Sequence, residues 1–79
     1  MEVSVYRGTK KKDTYILVRE EDALERVPEA LLDQFGEAAL SFSFTLTDER
    51  KMPRVDPVEL RLRLIEDGFY LQLPPPEVF

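Results

Sequence analysis

The clearest pattern in the chain runs from Leu40 to Thr47, L-S-F-S-F-T-L-T, where apolar and hydroxyl residues alternate without interruption. Successive side chains of a strand point to opposite faces. Leu40, Phe42, Phe44 and Leu46 are therefore expected on one buried face, and Ser41, Ser43, Thr45 and Thr47 on the other. Hydroxyls in place of charges on the polar side predict an antiparallel sheet with one face under helices and the other open to solvent or a partner.

The rest of the chain arranges around that strand. Val3 to Arg7 predicts a first strand with Val3 and Val5 inward, and the lysine-rich connection from Gly8 to Asp13 has hairpin length. The second strand, Thr14 to Arg19, is apolar on both sides; Ile16 and Val18 are expected to face the core. Asp22 and Glu25 have capping-box spacing for a short helical turn interrupted by Pro28. Pro28, in a first-turn position, then opens a helix that runs to Phe35 and is closed by Gly36.

Two signals compete further on. Val58 to Leu64, V-E-L-R-L-R-L, alternates like a strand, yet Asp56, Pro57 and Glu59 make a strong helix start and Asp67-Gly68 a stop. The caps predict a helix. On it Val55, Val58, Leu62 and Ile65 form one stripe, while Leu60 and Leu64 lie on the opposite side and are expected either under a neighbouring helix or the tail or, as the alternative, in an exposed patch for a partner. Phe69 to Leu73 predicts a last strand with Phe69, Leu71 and Leu73 inward, ended by Pro74-Pro75-Pro76. The expected fold is α+β: a two-layer α/β sandwich of about four largely antiparallel strands, with helices on one face, in the order ββαβαβ.

Composition narrows the chemistry. With no histidine and no cysteine, the chain lacks the commonest general base, thiolate nucleophiles and the commonest transition-metal ligands. The adjacent carboxylates Asp48-Glu49 and Glu66-Asp67 sit where acids are usually solvated, and Ser41 and Ser43 have no G-x-S-x-G setting. A non-enzyme without metal or cofactor is expected. No apolar run approaches a membrane span, so a soluble, cytoplasmic chain is the default.

The net charge of −5 is uneven. Residues 1–19 carry five basic and two acidic groups, and residues 20–37 carry one basic and seven acidic. A local basic patch at Arg7, Lys10, Lys11 and Lys12 survives on an acidic protein, but the overall sign disfavours RNA.

Several stretches together resemble a known family. Tyr6-Arg7, Thr14-Tyr15, V-P-E-A-L-L from Val27 to Leu32, Phe35-Gly36, and G-F-Y-L-Q-L-P-P-P from Gly68 to Pro76 look like the YcgL domain family of small bacterial proteins. The resemblance covers nearly the whole chain. It implies a single domain over residues 1–79 with a proline-rich C-terminal end at 74–79, and a compact, cytoplasmic two-layer α/β fold; it implies no activity.

The best constellation for function is the expected open sheet face, with Tyr6, Arg7, Tyr15, Ser41, Ser43, Tyr70 and Gln72 as candidate binding residues. Tyrosines on an uncharged polar sheet can anchor a protein partner or stack on bases. The expected function is a protein-interaction module using this face or the C-terminal segment, with an unidentified protein as partner. The alternative is an RNA-contacting accessory protein using the tyrosines and the basic loop from Arg7 to Lys12. A small enzyme built on carboxylate or tyrosine chemistry ranks third.

Overall fold

The computed structural model describes residues 1–10, 13–51 and 55–73. Strands β1 (Glu2–Gly8) and β2 (Tyr15–Arg19) form an antiparallel hairpin in which Val3 faces Arg19, Val5 faces Leu17 and Arg7 faces Tyr15. Helix α1 (Glu29–Phe35) follows, then β3 (Ala38–Thr45), helix α2 (Pro57–Glu66) and β4 (Tyr70–Gln72). β3 pairs with β1 and β4 with β2, both antiparallel, so the strands lie in the order β3-β1-β2-β4. The α+β class and the ββαβαβ order are those expected. The Lys11-Lys12 pair, the Met52-Pro53 step and the Pro74–Pro76 run lie outside the described residues.

The helices, however, cover opposite faces of the sheet rather than one. Val3, Val5 and Leu17 are buried with Leu60 and Leu64 of α2, whereas Ile16 and Val18 are buried with Val27 and with Phe35 of α1. The cause is β2. Its core of Ile16, Leu17 and Val18 is apolar on both sides, and a strand of that kind requires cover on both. The result is three layers, and Ile16 and Val18 point away from Val3 and Val5.

α2 starts where its caps predict. The Val58 N–H donates to Asp56 Oδ1 at 2.9 Å, and Pro57 occupies the first turn. Its inward face is the reverse of the longer stripe: Leu60 and Leu64 are fully buried, whereas Val58, Leu62 and Ile65 are exposed. The number of apolar residues does not choose the face. The return from Glu66 to Tyr70 takes only three residues, with Gly68 at φ 86°, and so short a link sets which side of the helix meets the sheet.

β3 departs most from its expected form. Val5 faces Phe42 but Tyr6 faces Leu40, so Ser41 is an extra residue, a β-bulge. Leu40 consequently lies on the α1 side and Phe42 on the α2 side, and neither is buried: they are 58% and 53% exposed. β3 is an edge strand, and of its residues only Ala38 and Phe44 pack partly against the cores beneath the helices. Phe44 is half-buried under the Arg50 guanidinium, 4.4 Å from its ring centroid. Only Leu46 is buried as expected, just past the strand, where its N–H donates to the Met1 carbonyl at 2.7 Å.

Between β2 and α1 the chain makes consecutive turns, with Ala23 at φ 48°, in place of a capped helical turn. Asp22 does not cap; it accepts from Arg19 Nε at 2.7 Å and lies 3.8 Å from Arg26. That hydrogen bond, chiefly, raises the Arg19 guanidinium above its ordinary pKa, against a smaller opposing effect of desolvation. Pro28 stands at the cap position of α1 rather than inside it, and Gly36, at φ 91°, ends the helix as expected.

Candidate functional site

The expected open polar face does not exist, because each face carries a helix, and the seven candidate residues separate. Tyr6 and Ser43 lie on the α1 side: Tyr6 is half-buried opposite Ile16, and Ser43 is exposed opposite Ser4, with the two hydroxyls 3.3 Å apart. Ser41 is the bulge residue. Arg7, Tyr15, Tyr70 and Gln72 share the α2 side, since directly opposed residues of antiparallel strands point the same way.

Within that second group the register builds a row. Arg7 on β1 faces Tyr15 on β2, and Tyr15 faces Gln72 on β4, so three strands present a guanidinium, a phenol and a carboxamide side by side. At a strand spacing of about 4.8 Å, the row spans about 10 Å. Arg7 is exposed and Tyr15 and Gln72 are half-buried, while Tyr70, opposite Leu17, packs against the α2 core instead. An open groove lined by Arg7, Gly8, Thr9, Asp13 and Tyr15 leads to the row.

The start of the β1–β2 loop is held against the end of α1. The Lys10 N–H donates to the Phe35 carbonyl at 3.1 Å, Lys10 Nζ to the Asp33 carbonyl at 3.1 Å, and Thr9 Oγ1 accepts from the Glu37 N–H at 2.9 Å. Of the basic residues expected to form a patch, Lys10 is thus engaged at a helix C-terminus, where its charge suits the dipole. Gly8, Thr9 and Asp13 were not singled out from the sequence. Gly8, directly after the strand expected to end at Arg7 and in fact the last residue of β1, was the available sign of a close backbone approach.

The charge pattern sets Arg7 apart. Arg19, Arg26, Arg61 and Arg63 each make an ion pair with an acidic side chain, and Arg50 lies over Phe44. Among the described arginines, Arg7 makes no such contact. Nor, among the described residues, do histidine, cysteine, aspartate or glutamate gather in a group of three or more that could hold a metal. No described helix is long and apolar enough to cross a membrane.

A four-stranded antiparallel sheet with one helix on each face, an exposed neutral edge and a polar row at one end defines a small α+β domain without an assembled catalytic cluster among its described residues. The chain belongs to the YcgL domain family, whose match covers residues 3–75. It is 46% identical over 74 residues to a YcgL domain-containing protein of Pseudomonas fluorescens, spanning 94% of this chain and 76% of that protein. A second, from Photorhabdus laumondii, is 40% identical over 73 residues, spanning 92% and 81%. A third, from Hydrogenovibrio crunogenus, is 41% identical over 76 residues, spanning 96% and 78%. These relatives are named only for the domain they contain.

Proposed function

We propose that the domain is a non-enzymatic protein-interaction module that receives an extended segment of its partner along the outer edge of β3. The supporting observation is the edge itself. Its eight residues, A-A-L-S-F-S-F-T, include no charged side chain in a chain that is 34% charged, and they leave Leu40 and Phe42 more than half exposed. Edge strands are ordinarily blunted by charges or proline, so a neutral, apolar edge is a surface for strand addition. Because the Ser41 bulge turns Leu40 and Phe42 to opposite sides, an added strand meets an apolar residue on each of its faces. The absence of histidine and cysteine supports the non-enzymatic part of the reading.

The test is an amide NMR spectrum of isotopically labelled protein in unlabelled bacterial lysate, with and without ribonuclease. Shifts or broadening along Ala38–Thr45 that persist after ribonuclease and vanish in a Leu40→Lys, Phe42→Lys double variant are the expected result. Shifts that ribonuclease abolishes, or that leave β3 unaffected, would remove the proposal.

A further inference from the structure

Arg7 is anomalous in an acidic chain: among the described residues its exposed guanidinium has no ion pair or hydrogen bond, and the side-chain polar groups of the neighbouring Tyr15 and Gln72 likewise have no hydrogen-bond partner there. We propose that the Arg7, Tyr15 and Gln72 row is a second binding site, which takes a single acidic residue of a peptide. The guanidinium presents a planar fork that matches a carboxylate with two parallel hydrogen bonds. Tyr15 supplies a half-buried ring wall next to it and a hydroxyl able to donate to the same carboxylate. Gln72 closes the row with a carboxamide, which offers one acceptor and two donors and so complements a peptide bond. That last group is what makes the ligand a peptide rather than a bare anion.

Charge selects the peptide over a nucleic acid strand. A phosphate backbone is held by a series of cations. Here Lys10 is turned to the Asp33 carbonyl, Asp13 lines the same groove, and residues 20–37 carry seven acidic groups against one basic. One unpaired guanidinium matches one carboxylate. The row runs from β1 away from β3, so it does not depend on the edge site and can operate with β3 blocked.

The experiment titrates the labelled full chain with acetyl-Phe-Glu-Phe-amide, its glutamine counterpart, and pentauridylate, up to about 10 mM, the range of millimolar affinity. The expected result is saturable shifts at the Arg7 Nε–H, Tyr15 and the Gln72 side-chain amide, with the glutamate peptide binding about tenfold tighter than the glutamine peptide. Arg7→Ala abolishes that difference, whereas the Leu40→Lys, Phe42→Lys variant keeps it, so the two sites fail separately. The proposal is overturned by equal binding of the two peptides, by the absence of shifts at these residues, or by pentauridylate binding the row more tightly than either peptide. Were Arg7→Ala not to fold, the glutamate against glutamine comparison in the unaltered chain would still decide.

Discussion

Arg26 lies over Gly68, and the contact joins the two sides of the sheet. The Arg26 guanidinium reaches from the turns before α1 to the end of α2, where it donates to the carbonyls of Leu64, Ile65 and Glu66 at 3.4, 3.1 and 3.1 Å. A cation on the last carbonyls of a helix meets both their unpaired acceptors and the negative end of the dipole. Gly68 makes the approach feasible: a Cβ there would stand 2.5 Å from Arg26 Cβ and Nε, at a φ of 86°.

Gly68→Ala should therefore destabilise the domain by about 2–3 kcal/mol, combining a left-handed backbone strained for alanine with displacement of the Arg26 stem. Arg26→Ala alone should cost about 1 kcal/mol, because it removes the cap and a partly exposed pair with Asp22 that adds little, but strains no backbone. Urea unfolding of both single variants and the double variant gives the coupling between them. Strict additivity would show that the contact carries no energy of its own.

The orientation of α2 makes a second prediction. Leu60→Ala and Leu64→Ala, at fully buried positions, should each cost about 2–5 kcal/mol, whereas Leu62→Ala, at a site 49% exposed, should stay within about 0.5 kcal/mol. Thermal melts of the three single variants suffice. A large loss at Leu62 with little at Leu60 would mean the helix presents its other stripe to the sheet.

What could be seen in the sequence divides along the same line as these residues. α2 was legible because its ends are local: Asp56, Pro57 and Glu59 specify the start and Asp67-Gly68 the stop without reference to any other element. Its facing was not, because it depends on the link to β4. The L-S-F-S-F-T-L-T alternation identified β3 as a strand, but the face of each residue is decided by pairing with β1, and the extra Ser41 sets Leu40 on the opposite face from the rest of the pattern. The second cover layer was written in Tyr15-Ile16-Leu17-Val18, whose ambiguity was itself the signal that both faces are buried. Three of the candidate site residues, Arg7, Tyr15 and Gln72, do converge. Their separation from Tyr6 and Ser43 follows from strand register, which no local pattern discloses.

The bulge can be tested by removing it. Deleting Ser41 would leave Tyr6 opposite Leu40 and Val5 opposite Phe42 in an uninterrupted ladder, so the domain should still unfold cooperatively, with stability changed by no more than about 1 kcal/mol. The straightened edge should also self-associate more readily, because bulges are one device by which edges avoid pairing with other chains. Sedimentation velocity across a concentration series measures this. A deletion variant that fails to fold would place Ser41 in a structural role that the register does not reveal.

The last prediction concerns the approach of β1 to α1, which fixes the loop beside the polar row. A Cβ on Gly8 would stand 2.3 Å from the Phe35 carbonyl oxygen and 2.7 Å from Phe35 Cγ. The first of these is backbone, and Phe35 is itself 1% exposed, so neither neighbour can step aside cheaply. Gly8→Ala must push the end of α1 off the sheet or pull the loop outward, breaking the bonds from the Lys10 N–H and Nζ to the Phe35 and Asp33 carbonyls. The expected cost is about 2–4 kcal/mol, a large part of the stability of so small a domain. Amide exchange distinguishes the two routes. If α1 is displaced, protection falls at Leu32 and Gly36, whose N–H groups bond to the Pro28 and Leu32 carbonyls. If the loop is displaced, protection falls at Lys10 and Glu37 and the groove beside Arg7 and Tyr15 opens, which should weaken peptide binding at the row while leaving the β3 edge unaffected. Stability and exchange both unchanged would show that the strand and the helix end do not meet as closely as Gly8 and Phe35 are placed.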